Sequence, residues 1–158
     1  MISTDRKIFD ADSLVRQRMF NYGTIVGELH IIVLNRELKD VPNQENTKVG
    51  DKVYIYPTNS SSKFTYFFDA IRIATQLKNI DLVTAQDPYE TGFIAWRIIK
   101  KLKTKLEFQI HTDIFNSHFI KHSFANRLRY WMSKFLLPKA DHIRVVSKRI
   151  RSSLPQEL

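Results

Sequence analysis

The chain has no cysteine in its 158 residues. That excludes a disulfide framework, a thiolate metal site and a cysteine nucleophile. No apolar run approaches the roughly 18–20 residues that a membrane-spanning helix needs. The opening Met1 to Lys7 has none of the apolar stretch of a signal peptide. A soluble cytoplasmic protein is expected. No Walker A sequence, no H-E-x-x-H and no zinc-type His/Cys spacing is present. His118 and His122 stand four residues apart with no acidic or cysteine partner near them, so no metal site is expected. The segment from Ser3 to Asp12 contains no glycine, which excludes a G-x-G-x-x-G turn pressed against a dinucleotide.

What the chain does contain is enough for one domain with a real core. Its apolar fraction is 43%, ordinary for a globular protein. The net charge of +9 is unevenly placed. Residues 1–96 carry 11 Lys/Arg against 12 Asp/Glu, whereas residues 97–151 carry 14 against 3. A neutral half beside so basic a half suggests an anionic partner: a membrane surface, a phosphorylated substrate or nucleic acid. The plainer reading is a solvated basic face kept for solubility.

Strand and helix patterns alternate along the chain. Ile2-Ser3-Thr4 reads as the end of a first strand, followed by a loop to Asp12. Asp12 or Ser13 caps a helix running to about Gly27, with Leu14, Val15, Met19, Tyr22, Ile25 and Val26 on its apolar side. His30 to Leu34 is a continuous apolar strand of the kind buried on both faces. Lys39 to Lys52 reads as an exposed loop, and Val53 to Tyr56 as a strand stopped by Pro57. A helix starting at Ser60 to Lys63 places Phe64, Phe67, Phe68, Ile71, Ala74 and Leu77 on one stripe, expected in the core. Strands follow at Asp81–Gln86, Lys105–Ile110 and Ile143–Val146. Helices are expected over Glu90–Lys103, from an Asn126 cap to Leu137, and from Ser147. Six strands alternating with helices predict an α/β fold, a doubly wound, Rossmann-like parallel sheet. The loops Asp5–Ser13, Asp87–Gly92 and His111–Asn116 are then expected at the crevice where ligands bind, beyond the carboxyl ends of the strands.

Several residues suit chemistry there. His111 follows a strand directly. It suits donation to a substrate hydroxyl, or equally a hydrogen bond to loop backbone. Asp87, before Pro88, suits either substrate hydroxyls or the fixing of its own turn. Gly92 allows close approach to its backbone, or only relieves packing. Lys121, Arg127, Arg129 and Lys134 lie among Phe124, Leu128, Tyr130, Trp131, Met132, Phe135 and Leu136. Leu128, Trp131, Met132, Phe135 and Leu136 are expected against the sheet. The basic face reads as an anion or membrane patch suited to an anionic bilayer, or as an ordinary solvated face.

These residues carry a family resemblance. Ala85-Gln86-Asp87-Pro88 with Gly92, then Gln109-Ile110-His111-Thr112-Asp113, then Lys139-Ala140-Asp141-His142-Ile143-Arg144-Val145-Val146-Ser147 resemble the N-terminal domain of retaining family 4 glycosyltransferases. These are the group-1 GT-B enzymes. Ser3-Thr4-Asp5 and the helix start at Ser13 to Arg18 resemble the first βα unit of bacterial members. The resemblance covers almost the whole chain. It implies two facing Rossmann-like domains. The first holds the acceptor and closes over the sugar, and the second holds a nucleotide-sugar donor. It implies hexosyl transfer without metal or cofactor, with His111 contacting the transferred sugar. Asp5 lies near the donor diphosphate by the same resemblance. Asp87 and Asn116 line the acceptor side, and Gly92, Thr112 and Asp113 complete the substrate-binding set. Partners so implied are the nucleotide sugar, a sugar or lipid-linked acceptor and an anionic membrane at its cytoplasmic face. Nucleic acid is not expected. The glycines that many relatives place after the first strand are missing here. Residues 1–158 read as a single acceptor-side domain without its donor-binding domain, expected to be inactive alone. The alternative is a non-catalytic membrane- or partner-binding module of the same fold.

Overall fold

A computed structural model of the protein describes residues 1–37 and 45–155. The chain divides into two compact units, Met1–Lys78 and Asn79–Leu158. Both alternate strands with helices, and parallel pairing dominates in each. The protein is a mixed α/β, Rossmann-like domain, as its strand and helix pattern predicts.

In the first unit, β1 (Ile2–Ser3) pairs parallel with β2 (Leu29–Val33), which pairs parallel with β4 (Val53–Pro57). Short β3 (Thr47–Val49) runs antiparallel along β4. Alternation sets the core. Ile31 and Val33 of β2 meet Val53 and Ile55 of β4, and Ile8 and Met19 cover them. α1 (Leu14–Gly23) is capped by Ser13, whose hydroxyl accepts from Arg16 N at 3.1 Å. It ends at Gly23, short of the expected Gly27. Thr24-Ile25-Val26 is a run of β-branched residues that helices disfavour, and Thr24 Oγ1 donates to Asn21 O at 2.7 Å. Ile25 is accordingly exposed, as is Leu14 at the first turn.

β3 lies within the segment expected as loop. Residues 39–44 of that segment fall outside the described residues. Gly50, at φ +61°, makes the turn into β4, a conformation that costs glycine little. Such a short strand bearing Lys48 suits a sheet edge. α2 (Tyr66–Ala74) starts later than expected. Ser62 and Thr65 first hold a turn by mutual side-chain and backbone hydrogen bonds. The helix buries Ala70, Ile71 and Ala74. Phe64 is 88% and Phe68 68% exposed, so neither is core. Phe64 precedes the helix, and Phe68 points off its buried side.

In the second unit, β6 (Lys105–Ile110) lies between β5 (Leu82–Ala85) and β7 (His142–Val145), all parallel. Leu106, Phe108 and Ile110 are almost fully buried. Asp141 ties β7 to β6: its carboxylate accepts from Leu106 N at 2.8 Å, and its own N–H donates to Leu106 O at 2.9 Å. α3 (Glu90–Leu102) packs on β5 and β6, with Ile94, Ala95 and Ile98 inward.

Two helices stand where one was expected. α4 (Ser117–His122) is capped by Asn116. α5 (Phe124–Leu136) is capped by Ser123, whose hydroxyl accepts from Asn126 N. Ser123 at φ −160° is extended and breaks the spiral between them. Asn126 therefore lies inside α5, where its side chain donates to Phe119 O at 3.0 Å. Pro138 sits in a 3-10 turn over Leu137–Lys139, and α6 (Lys148–Ser153) follows β7 behind a Ser147 cap. The face of α5 expected against the sheet is largely turned outward: Leu128, Trp131 and Phe135 are all exposed, while Leu136 and Leu137 are buried.

Candidate functional site

Because β5, β6 and β7 are parallel, their carboxyl ends share one edge of the second unit. The sequence delivers Asp87, Gly92, His111, Thr112, Asp113 and Asn116 to that edge. Asp5 belongs to the first unit. There its Oδ1 accepts from Lys7 N at 3.1 Å and caps the 3-10 turn Arg6–Phe9.

The loop after β5 uses its polar groups on itself. Asp87 Oδ1 accepts from Tyr89 N at 2.8 Å and Thr91 N at 3.1 Å. Its Oδ2 accepts from the Thr91 hydroxyl at 2.8 Å. These bonds satisfy N–H groups that the first turn of α3 would otherwise leave without partners. Burial raises the Asp87 pKa above the ordinary carboxylate value, against the hydrogen bonds from Thr91 and Tyr89. Gly92 is buried in the same knot. A Cβ there would stand 2.7 Å from Asp87 O and 2.9 Å from the Phe108 ring. The close approach at Gly92 is thus made by the protein's own backbone and core.

The loop after β6 is arranged differently. His111 and Thr112 are exposed at the end of β6. Asp113 is only 12% exposed, with Oδ2 at 3.8 Å from Arg149 Nε. Its Oδ1 is buried and has no hydrogen-bond partner among the described residues. A buried oxygen of that kind carries a desolvation cost of about 1–3 kcal/mol, more if charged, which a donor from a ligand or water offsets. Asn116 accepts from His118 N at 2.8 Å and donates its own N–H to Asp113 O at 3.2 Å, which closes the loop.

Three further residues cluster at these loops: Tyr89 and Glu90, which the sequence did not single out, and Arg129, which was expected in the anion or membrane patch. Burial together with the Asp87 charge raises the Tyr89 pKa, against a smaller opposing influence of the Thr112 side chain. The Arg129 guanidinium lies 5.2 Å from the centre of the Tyr89 ring. Arg129 Nε donates to Glu90 Oε1 at 2.7 Å. Burial works against the Arg129 cation, but the Glu90 hydrogen bond and charge outweigh it and leave its pKa above the ordinary value. Arg129 is therefore tied to this edge, while Lys121, Arg127 and Lys134 remain exposed. Only Glu90 beside Tyr89, opening a helix that follows a polar turn, could have signalled this cluster locally. Among the described residues no group of three or more His, Asp or Glu is placed to hold a metal ion.

The arrangement is a parallel-sheet edge with a rigid loop after β5 and, after β6, exposed or unsatisfied hydrogen-bonding groups. That defines a Rossmann-like domain, a fold whose ligands generally bind beyond the carboxyl ends of the strands. A family model described as Glycosyltransferase Family 4 matches residues 27–157. The chain belongs to that family and is a glycosyltransferase domain of the GT-B N-terminal type. A search of curated proteins finds no match.

Proposed function

We propose that this chain is the acceptor-side domain of a nucleotide-sugar-dependent hexosyltransferase that retains anomeric configuration. In this reading His111 positions the transferred sugar, and Thr112 and Asp113 receive hydroxyl groups of the substrate. Asp87 and Gly92 act on substrate by holding the loop that carries Tyr89, and Asn116 fixes the loop that carries His111. Asp5 faces the donor diphosphate from the first unit's strand end. A second, facing domain holds the donor and supplies most of the stabilisation of the leaving diphosphate. Closure of the two domains excludes water, so residues 1–158 by themselves do not turn over. The reaction uses no metal and no cofactor.

Family membership supports the class of reaction. The observation that carries the site is Asp113 Oδ1, an unmet buried acceptor two residues from exposed His111. Carboxylate and imidazole on one strand-end loop suit a polyhydroxylated ligand, which offers both donors and acceptors.

The test is nucleotide release from a panel of UDP- and GDP-sugars. The purified chain is assayed alone and with a separately expressed donor-binding domain of the same family. Release only in the mixture, with the sugar conserved in an acceptor product, supports the reading. No release with any donor, from protein that is folded by circular dichroism, overturns it and leaves the non-catalytic binding module.

A further inference from the structure

α5 wears its apolar side outward. At about 100° per residue, Asn126, Arg129, Tyr130, Ser133, Leu136 and Leu137 fall in one arc. That arc is the buried side: Ser133, Leu136 and Leu137 are at most 1% exposed. Phe124, Leu128, Trp131 and Phe135 fall roughly opposite. Phe124 is 78% and Trp131 64% exposed. The inward arc sets two hydrogen-bonding residues beside buried Leu136 and Leu137: Ser133 Oγ donates to Arg129 O at 2.7 Å, and Arg129 donates to Glu90. The rings of Phe124, Trp131 and Phe135 are left to the other side. Exposed apolar patches of this kind mark interaction surfaces.

Cations lie directly on this aromatic stripe. Lys139 Nζ is 4.0 Å from the Phe135 ring centre, and Lys134 Nζ is 5.4 Å from that of Trp131. Phe135 meets Trp96 of α3 edge-on at 5.4 Å, and Lys100 Nζ sits 4.2 Å from the Trp96 centre. Between the two helices runs a groove of about 300 Å³ with Phe93, Met132 and Leu136 in its walls. α5 contains no Asp or Glu, and the single acid of α3 is Glu90, held by Arg129. The occupant must therefore bring negative charge and an apolar phase together.

We propose that the outer face of α5, with Trp96 and Lys100 of α3, docks the protein on an anionic lipid bilayer. Aromatic rings reach below the headgroups, and the lysines stay level with the lipid phosphates along their own apolar stems. A nucleic acid would satisfy the charge but leave the apolar stripe uncovered. Among the described residues no helix is long and apolar enough to cross a membrane, so the contact is interfacial.

Trp96 and Trp131 are the chain's two tryptophans, so their emission reads this surface directly. The purified chain is titrated with vesicles of phosphatidylcholine and of phosphatidylcholine mixed with phosphatidylglycerol. Binding is followed by sedimentation and by tryptophan emission. The expected result is co-sedimentation and a blue shift with the anionic vesicles only. Trp131→Gln should lower the partition coefficient at least about ten-fold. Lys134→Gln and Arg127→Gln should each lower it about five-fold, and added salt should weaken binding further. Circular dichroism confirms that each variant is folded. The proposal fails if folded protein shows no binding to anionic vesicles, or if binding survives Trp131→Gln undiminished. It fails equally if Trp131 is already buried without lipid by self-association, seen as a concentration-dependent sedimentation coefficient. Binding that is lost with Lys134→Gln but never shifts the emission also overturns it.

Discussion

The loops after β5 and β6 end neighbouring parallel strands, yet they spend their polar groups in opposite ways. After β5, Asp87 has both oxygens engaged by Tyr89 and Thr91, Thr91 is fully buried, and Gly92 abuts the Asp87 carbonyl. After β6, His111 and Thr112 face outward and Asp113 keeps one buried oxygen unmet. The first loop resembles a core element and the second an unfinished contact. Polar residues at a strand end are therefore not equivalent evidence of a site. What separates them is Asp113 Oδ1, which meets no donor among the described residues, whereas both oxygens of Asp87 do.

This comparison can be broken by substitution. The largest expected effect is at Gly92. Gly92→Leu forces a side chain against a backbone oxygen and the Phe108 ring, neither of which can yield easily. A loss of about 3 kcal/mol, the upper part of the overpacking range, is expected in urea unfolding. A loss below about 0.5 kcal/mol would show that the knot around Gly92 is loose. Next comes Asp87→Ala, which removes the acceptor for two N–H groups and a hydroxyl at the start of α3. It should cost about 2 kcal/mol. An unchanged midpoint would deny Asp87 its structural role.

A smaller effect sharpens the same point through pH. Burial raises the Asp87 pKa in the folded state, while the unfolded carboxyl titrates near about 3.9. Between those values the folded state binds more protons than the unfolded chain, so this contribution to stability falls as pH rises. It is fully present below the unfolded value and lost above the raised folded one. Asp87→Asn has nothing to ionise and keeps an acceptor for Tyr89 and Thr91. The difference in unfolding free energy between wild type and Asp87→Asn should drift in the variant's favour as pH rises through that window, then level off. A difference that does not change with pH would mean that Asp87 is not perturbed.

The sequence showed the strands of the second unit well, because Lys105–Ile110 and its neighbours are short apolar runs between turn residues. It also brought His111, Asp87 and Asp113 to one edge through the rule that parallel strands end together. It did not show β3, three residues long and bearing Lys48, nor the break at Ser123 that separates α4 from α5. It misjudged α5 for a clear reason. Periodicity locates an apolar stripe, but it does not say which side faces the sheet. Here Arg129 is drawn inward by Glu90, 39 residues away, while Ser133 bonds back to Arg129 O within its own helix. The Tyr89–Arg129 and Asp113–Arg149 contacts are equally non-local. No local pattern could place them.

In the proposed function the loop after β6 works on substrate while the loop after β5 holds shape. The most direct test measures unfolding free energy and nucleotide release together in His111→Ala, assayed with the donor-binding domain present. The predicted result is loss of release by orders of magnitude with stability within about 0.5 kcal/mol of wild type, as for an exposed side chain. Retained release, or release lost only in step with a fall in stability, would contradict it.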